Sequence, residues 1–129
     1  MKSWCYLIAG MFFGSLLTGG ALAVSSREYS VQDPVEQSPQ YYKILLENDE
    51  VRVLEYRLKP GEKEPTHSHP AGVVYGFNES KIRSTLPNGT ATEIVGKAGD
   101  VFWRNPVTHA LENIGDTDVH SLAIEIKKD

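Results

Sequence analysis

The sequence predicts an all-β domain, an antiparallel sandwich or barrel, and three observations carry that prediction. No stretch longer than ten residues repeats apolar side chains at helical spacing. From residue 41 onward, short apolar runs are cut by turn residues every 8–12 positions. Alternation at period two is visible in Val51-x-Val53 and in Leu122-x-Ile124-x-Ile126, the pattern of strands with one face buried. Together they predict eight or nine short strands and no long helix.

The elements follow in order. Residues 41–47 end at Asn48-Asp49, and residues 51–58 end at Lys59-Pro60-Gly61-Glu62. The stretch 65–69 leads into 72–77, and Asn78-Glu79-Ser80 separates that from 81–86. Pro87-Asn88-Gly89 is a hairpin turn, because Asn-Gly tolerates the positive φ angles a tight turn needs. Residues 90–95, 100–103 and 108–113 follow, and Asn113-Ile114-Gly115-Asp116 turns the chain into 119–127. There is no internal repeat.

The N-terminal residues belong to a different class of sequence. Residues 1–23 carry one cation, Lys2, then an apolar stretch, and end in Ala21-Leu22-Ala23, the small-x-small pattern of a cleaved secretory signal. The competing reading is an uncleaved membrane anchor, against which the glycines at 10, 14, 19 and 20 argue. Cleavage after Ala23 leaves residues 24–129, an exported chain in the periplasm or outside the cell with no stable membrane insertion. The single cysteine, Cys5, leaves with the signal, so disulfides and thiolate metal ligands are excluded from the remainder. The whole chain carries 13 Lys and Arg against 17 Asp and Glu, with no cationic cluster, which gives nucleic-acid binding no support. Residues 24–40 are polar, contain two prolines and read as a mobile lead-in, with at most one short strand or a partner contact.

Three of the four histidines fall on predicted strands. His67 and His69 stand two apart, so in an extended strand both rings face one side, and His109 lies on a later strand. Neutral imidazoles converging from two strands form a site for a divalent metal such as Fe2+, Zn2+, Ni2+ or Mn2+. His120 shares parity with Leu122, Ile124 and Ile126, which makes it a candidate for an inward-facing fourth ligand or else a half-exposed strand-end residue. Arg104 and Arg83 are candidates for gripping a substrate carboxylate, surface exposure being the plainer reading. Tyr75, Phe77 and Trp103 read as pocket lining or core, Glu62 and Glu64 as a solvated turn, and Asn113 as a turn or supporting residue.

Two segments resemble a known family. Gly61-Glu-Lys-Glu-Pro-Thr-His67-Ser-His69 looks like the first cupin motif, and Gly99-Asp100 through Pro106, His109 and Asn113 resembles the second. The resemblance spans about residues 41–127 and is nearest to the small single-domain cupins associated with β-alanine degradation. It implies a double-stranded β-helix (a jelly-roll barrel) over a cupin domain at 41–129, with one divalent metal inside held by His67, His69 and His109. Two departures stand out. No carboxylate lies between Pro70 and Asn78, where that motif usually supplies a glutamate ligand, and Pro106 occupies a position where glycine is common. A ligand set of three imidazoles would leave the ion its full charge and open positions.

Several functions remain open at this level. One is a metal-dependent enzyme, of dioxygenase or isomerase type, on a small organic acid or carbonyl compound. A second is a non-catalytic module binding a metal or a small, anionic ligand, and a third is a metal-free barrel with an accessory role. Unpaired edge strands and residues 24–40 would allow a homodimer, and the sequence leaves the assembly open.

Overall fold

The computed structural model describes residues 32–127, so the signal segment and residues 24–31 of the lead-in lie outside the described residues. All nine expected strands are present: β1 (Tyr42–Glu47), β2 (Val51–Leu58), β3 (Lys63–His69), β4 (Gly72–Gly76), β5 (Ser80–Thr85), β6 (Ala91–Gly96), β7 (Val101–Arg104), β8 (Val107–Asn113) and β9 (Val119–Ile126). They form a five-stranded sheet in the order β1-β2-β9-β4-β7 and a four-stranded sheet in the order β3-β8-β5-β6. Every pairing is antiparallel. The nonsequential strand orders are those of a jelly roll: β1/β2 and β5/β6 are hairpins within one sheet, and the other consecutive strands alternate between two facing sheets.

Residues 33–41 depart from the irregular lead-in that their composition suggests. They form a short helix, α1 (Pro34–Gln37), and a 3-10 turn (Pro39–Tyr41). Asp33 nucleates the helix by accepting from the Val35 amide at 2.8 Å, with Pro34 supplying the preset first helical φ. The same aspartate reaches Arg52 at 2.6 Å, and the Gln32 carbonyl accepts from the Ser68 amide at 2.8 Å. The segment is therefore pinned to the barrel by side chain and backbone together.

The turn at Pro87-Asn88-Gly89 is of a different type from the one expected. Among the described residues no non-glycine has positive φ, so Asn88 does not adopt the left-handed conformation, and Gly89 alone does, at 87°. Proline presets the φ of a type I turn, and the Gly89 amide closes it onto the Leu86 carbonyl at 2.9 Å. Asn113 proves to be a turn organiser. It is 1% exposed, its Nδ2 donates to the carbonyls of Leu58 and Thr117, both at 2.8 Å, and its Oδ1 accepts from Gly115.

The core lies between the sheets, around Tyr56, Leu58, Leu111 and Val119, with Tyr41, Tyr42 and Ile82 packed against it. On β9 the buried positions are Val119, Ala123 and Glu125. The inward parity is therefore the opposite of the one suggested by the Leu122, Ile124 and Ile126 alternation, which belongs to the outer face. A sheet needs only one apolar face, and here the outer face is apolar too. Tyr75, Phe77, Val101 and Trp103 are all exposed on or beside it, with Trp103 at 57%, so these aromatics are neither core nor pocket lining.

One irregularity decides the chemistry of the interior. In β3, Glu64 pairs with Leu111 and His67 with His109, so Pro65 and Thr66 together oppose Ala110 alone. That extra residue is a β-bulge, and it reverses the side-chain parity between Glu64 and His67. Pro65 suits the place because it has no N–H to leave unpaired. Without the bulge Glu64 would face solvent. With it, Glu64, His67 and His69 all point into the barrel.

Candidate metal centre

His67 and His69 project from β3, and His109 stands opposite His67 on β8. Ring centroids are 4.7 Å apart for His67 and His69, 4.8 Å for His67 and His109, and 5.5 Å for His69 and His109. One nitrogen of each ring lies within 4.8 Å of the others. Nitrogens arranged tetrahedrally around one ion at about 2.0–2.1 Å stand about 3.4 Å apart, so the three rings would draw in by up to about 1.4 Å around an ion. Among the described residues this is the one group of three or more metal-capable side chains gathered in this way.

The second nitrogen of each ring is engaged. His67 Nδ1 donates to the Pro65 carbonyl at 2.8 Å, which requires the proton on Nδ1 and leaves Nε2 with a bare lone pair. His69 Nδ1 lies 2.6 Å from Glu125 Oε1, and His109 Nδ1 lies 3.1 Å from the Ser84 hydroxyl. His67 and His109 each keep Nε2 buried with no hydrogen-bond partner. Two buried ring nitrogens without partners in one spot are costly unless something fills it. A divalent cation would do so, and anchoring of the distal nitrogen by a carbonyl or carboxylate is how ligating histidines are oriented. The residues present fit a metal.

Burial sets the charge state. It pushes His67 down to about 4 and, aided by His67, His69 and Arg104 nearby, His109 down to about 3. His69 is also lowered by burial, against the opposing pull of Glu125. All three rings are neutral at pH 7, the form that binds metals.

Two buried carboxylates stand behind the rings. Glu125, 1% exposed, accepts from His69, from Arg52 Nε at 2.9 Å and from Arg104 at 3.3 Å. Burial raises its pKa, but the His69 and Arg52 hydrogen bonds outweigh that and hold the carboxyl below its usual range. Glu64, also 1% exposed, accepts from the Tyr56 hydroxyl at 2.8 Å and lies 3.3 Å from His67 Nδ1. Burial pushes it up to about 7, only partly countered by the Tyr56 hydrogen bond. This corrects the solvated-turn reading of Glu64. Pro65 in the middle of the strand was the signal for a bulge that would have brought it inside.

The remaining candidates separate cleanly. His120 does not join the cluster: its Nε2 meets Glu55 at 2.8 Å and its ring stacks on Phe77 at 4.4 Å. Arg83 is a surface residue paired with Glu93 and Glu112. Arg104 faces inward and lines a cavity of about 480 Å³ that His69, His109 and Tyr42 also line. The aromatic that β7 gives this cavity is Phe102, one residue before the Trp103 singled out from the sequence.

The fold is similar to those of several solved structures. A cupin domain from Bordetella pertussis Tohama I superposes with a TM-score of 0.62 at 27% identity, over 67% of this chain and 92% of that one. A conserved protein with a double-stranded β-helix domain from Klebsiella pneumoniae gives 0.55 at 23% identity, over 79% and 90%. The polyketide cyclase RemF from Streptomyces resistomycificus gives 0.51 at 16% identity, over 67% and 64%. No family model matches the sequence, and no curated protein does. The chain is a cupin, a double-stranded β-helix with a three-histidine cluster inside the barrel. The narrower likeness to the cupins of β-alanine degradation rests on the sequence motifs alone.

Proposed function

We propose that this chain is an exported metal-binding cupin in which His67, His69 and His109 hold one divalent ion, Fe2+, Zn2+, Ni2+ or Mn2+. The cavity beside them would receive a small, anionic organic molecule. The observation that supports this is the set of engaged Nδ1 atoms, with the Nε2 atoms of His67 and His109 left bare and buried. A bound ion would supply Lewis acidity towards a carbonyl or, as iron, redox chemistry with dioxygen, which makes a metal-dependent enzyme of isomerase or dioxygenase type the leading reading. The chain's own residues orient the ligands: Glu125 holds His69, the Pro65 carbonyl holds His67, and Ser84 holds His109. Val74, Ile82 and Ala123 contribute apolar wall to the cavity.

A specific observation favours a second reading, a non-catalytic binding module. Glu64 and Glu125 sit behind the rings, and the Asp100 carboxylate that borders the cavity is held by the Lys97 amide at 2.8 Å. Among the described residues, no carboxylate of the cavity wall adjoins the histidines as a general base.

Elemental analysis of the purified protein tests the ligand set. We expect about one transition-metal ion per chain, and loss of most of it in His67→Ala and His109→Ala. Equal metal in all three proteins would remove the assignment. Oxygen uptake with small carboxylates and β-dicarbonyls then separates a dioxygenase from a binder. Export is tested by the N-terminus of the protein recovered outside the cytoplasm: it should begin at Val24, and one beginning at Met1 would contradict cleavage. A homodimer is part of the same reading, since Val101 and Trp103, 63% and 57% exposed, belong to an apolar surface that a second copy would cover. Sedimentation should give twice the chain mass, whereas a single-chain mass at every concentration would refute it.

A further inference from the structure

The geometry points to Arg104 as the clamp for a carboxylate on the cavity's ligand, which makes that ligand a small organic acid with an apolar body. The inference rests on the metal-centre reading for the ligand's other end, and on the geometry of one cross-strand row for this end. That row runs Arg104, Gly72, Glu125, Arg52 across β7, β4, β9 and β2. Gly72 is packed against the Ile124 and Glu125 backbone, where a Cβ would clash, and Arg104 reaches across this strand to Glu125 at 3.3 Å.

Arg104 is not needed to satisfy Glu125. That carboxylate already accepts from His69 at 2.6 Å and from Arg52 at 2.9 and 2.7 Å, while its contact with Arg104 is the longest, at 3.3 Å. A guanidinium has five N–H donors. Among the described residues this one makes a single hydrogen bond, through Nη2, and its Nε is buried without a partner. The side chain is 14% exposed. A cation so nearly enclosed and so poorly paired is expensive to fold around, unless an anion completes it. The opening it retains is onto the cavity it shares with His69 and His109. Its positive charge depresses the basicity of all three histidines, in keeping with its closeness to the cluster.

The rest of the cavity defines the remainder of the ligand. Val74, Ile82, Phe102, Leu111, Val119 and Ala123 give it an apolar wall. A planar carboxylate fits a guanidinium through two parallel hydrogen bonds, which an ammonium cannot reproduce. A short 2-oxo acid answers the whole description: carboxylate on Arg104, apolar chain on the wall, and a carbonyl oxygen directed at the three-histidine site.

The test is calorimetric titration of the metal-loaded full chain with 2-oxobutyrate, butyrate and the neutral isostere butyramide. Metal content is measured on the same samples. The wild type should bind 2-oxobutyrate saturably and at least tenfold more tightly than butyramide. Arg104→Met should keep its metal and lose at least tenfold in 2-oxobutyrate affinity, with Arg104→Lys in between. Carboxylate affinity unchanged in Arg104→Met, equal affinity for the amide, or no saturable binding to the wild type would each overturn the clamp. Loss of metal from Arg104→Met with carboxylate affinity unchanged in Arg104→Lys would also overturn it, assigning Arg104 to the support of Glu125. If the wild type proves to hold no metal, the metal reading fails by itself. The same titration on that metal-free protein then decides the clamp, by whether butyrate outcompetes butyramide.

Discussion

Glu125→Ala is expected to destabilise the domain by about 3–5 kcal/mol and to weaken metal binding by about 10–100-fold. The carboxylate is 1% exposed and receives His69, Arg52 and Arg104 at once. Its removal leaves two largely buried guanidinium groups with one carboxylate fewer between them. Arg52 keeps Asp33 at 2.6 Å, which moderates the loss at that end. Arg104 keeps nothing among the described residues. The effect on metal has a separate cause: without Glu125, His69 loses the acceptor that fixes its Nδ1 proton and ring orientation, so Nε2 is no longer held toward the cluster. Glu125→Gln divides the two effects, since its amide oxygen still accepts from His69 while the negative charge is gone. It should recover more metal affinity than stability. Urea unfolding and a competitive metal titration measure the two quantities. Stability and affinity both at wild-type values in Glu125→Ala would show that the buried network does not support the centre.

The second large effect is acid sensitivity of the metal-free protein. His67, His69 and His109 have folded-state pKa values below the ordinary 6.5, so as pH falls below 6.5 the unfolded chain takes up protons that the folded chain refuses. Stability from these three groups is complete above 6.5 and is lost toward the folded values, about 4 for His67 and about 3 for His109. Glu64 acts in the opposite sense. Its folded pKa of about 7 lies above the usual 4.5, so between those values the folded state holds a proton that the unfolded state does not, and acidification favours folding. His67 and His109 against Glu64 leave about one proton taken up on unfolding near pH 5, or about 1.4 kcal/mol per pH unit, and His69 adds to it in the same direction. This slope should lower stability measurably as the pH falls from 6 to 5. Urea midpoints of chelator-treated protein at a series of pH values read the slope directly. His109→Gln should flatten it by about one proton, or about 1.4 kcal/mol per unit. A midpoint constant from pH 7 to 5 would contradict the burial of neutral rings.

Much of this was legible in the sequence, because turns and metal-ligand spacing are local signals. Asn48-Asp49, Pro60-Gly61 and Pro87-Asn88-Gly89 mark strand ends by backbone chemistry that depends on few neighbours, and the nine strands fell where these turns allow. His67 and His69 are two apart on one strand, so their shared face followed from period two alone. What escaped depends on longer range or on a break in the period. Parity on β9 was misread because its apolar residues Leu122, Ile124 and Ile126 lie on an outer face that is itself apolar, while the inner face spends positions on Ser121 and Glu125. Glu64 was hidden by the bulge at Pro65, which shifts side-chain parity between it and His67. Glu125 lies 56 residues from the histidine it orients, and only the pairing of sheets brings the two together. Arg104 and Trp103 show how sharp such a boundary is. They are adjacent in sequence, yet one faces the cavity and the other faces solvent.

Whether three imidazoles share one ion is read directly, without any substrate, by X-ray absorption on the zinc-loaded full chain. It should record three imidazole nitrogens at about 2.0–2.1 Å, with the remaining position taken by oxygen. His109→Ala should reduce that number to two. A first shell of oxygen alone, or a spectrum indifferent to the loss of His109, would mean that the buried cluster does not hold the metal.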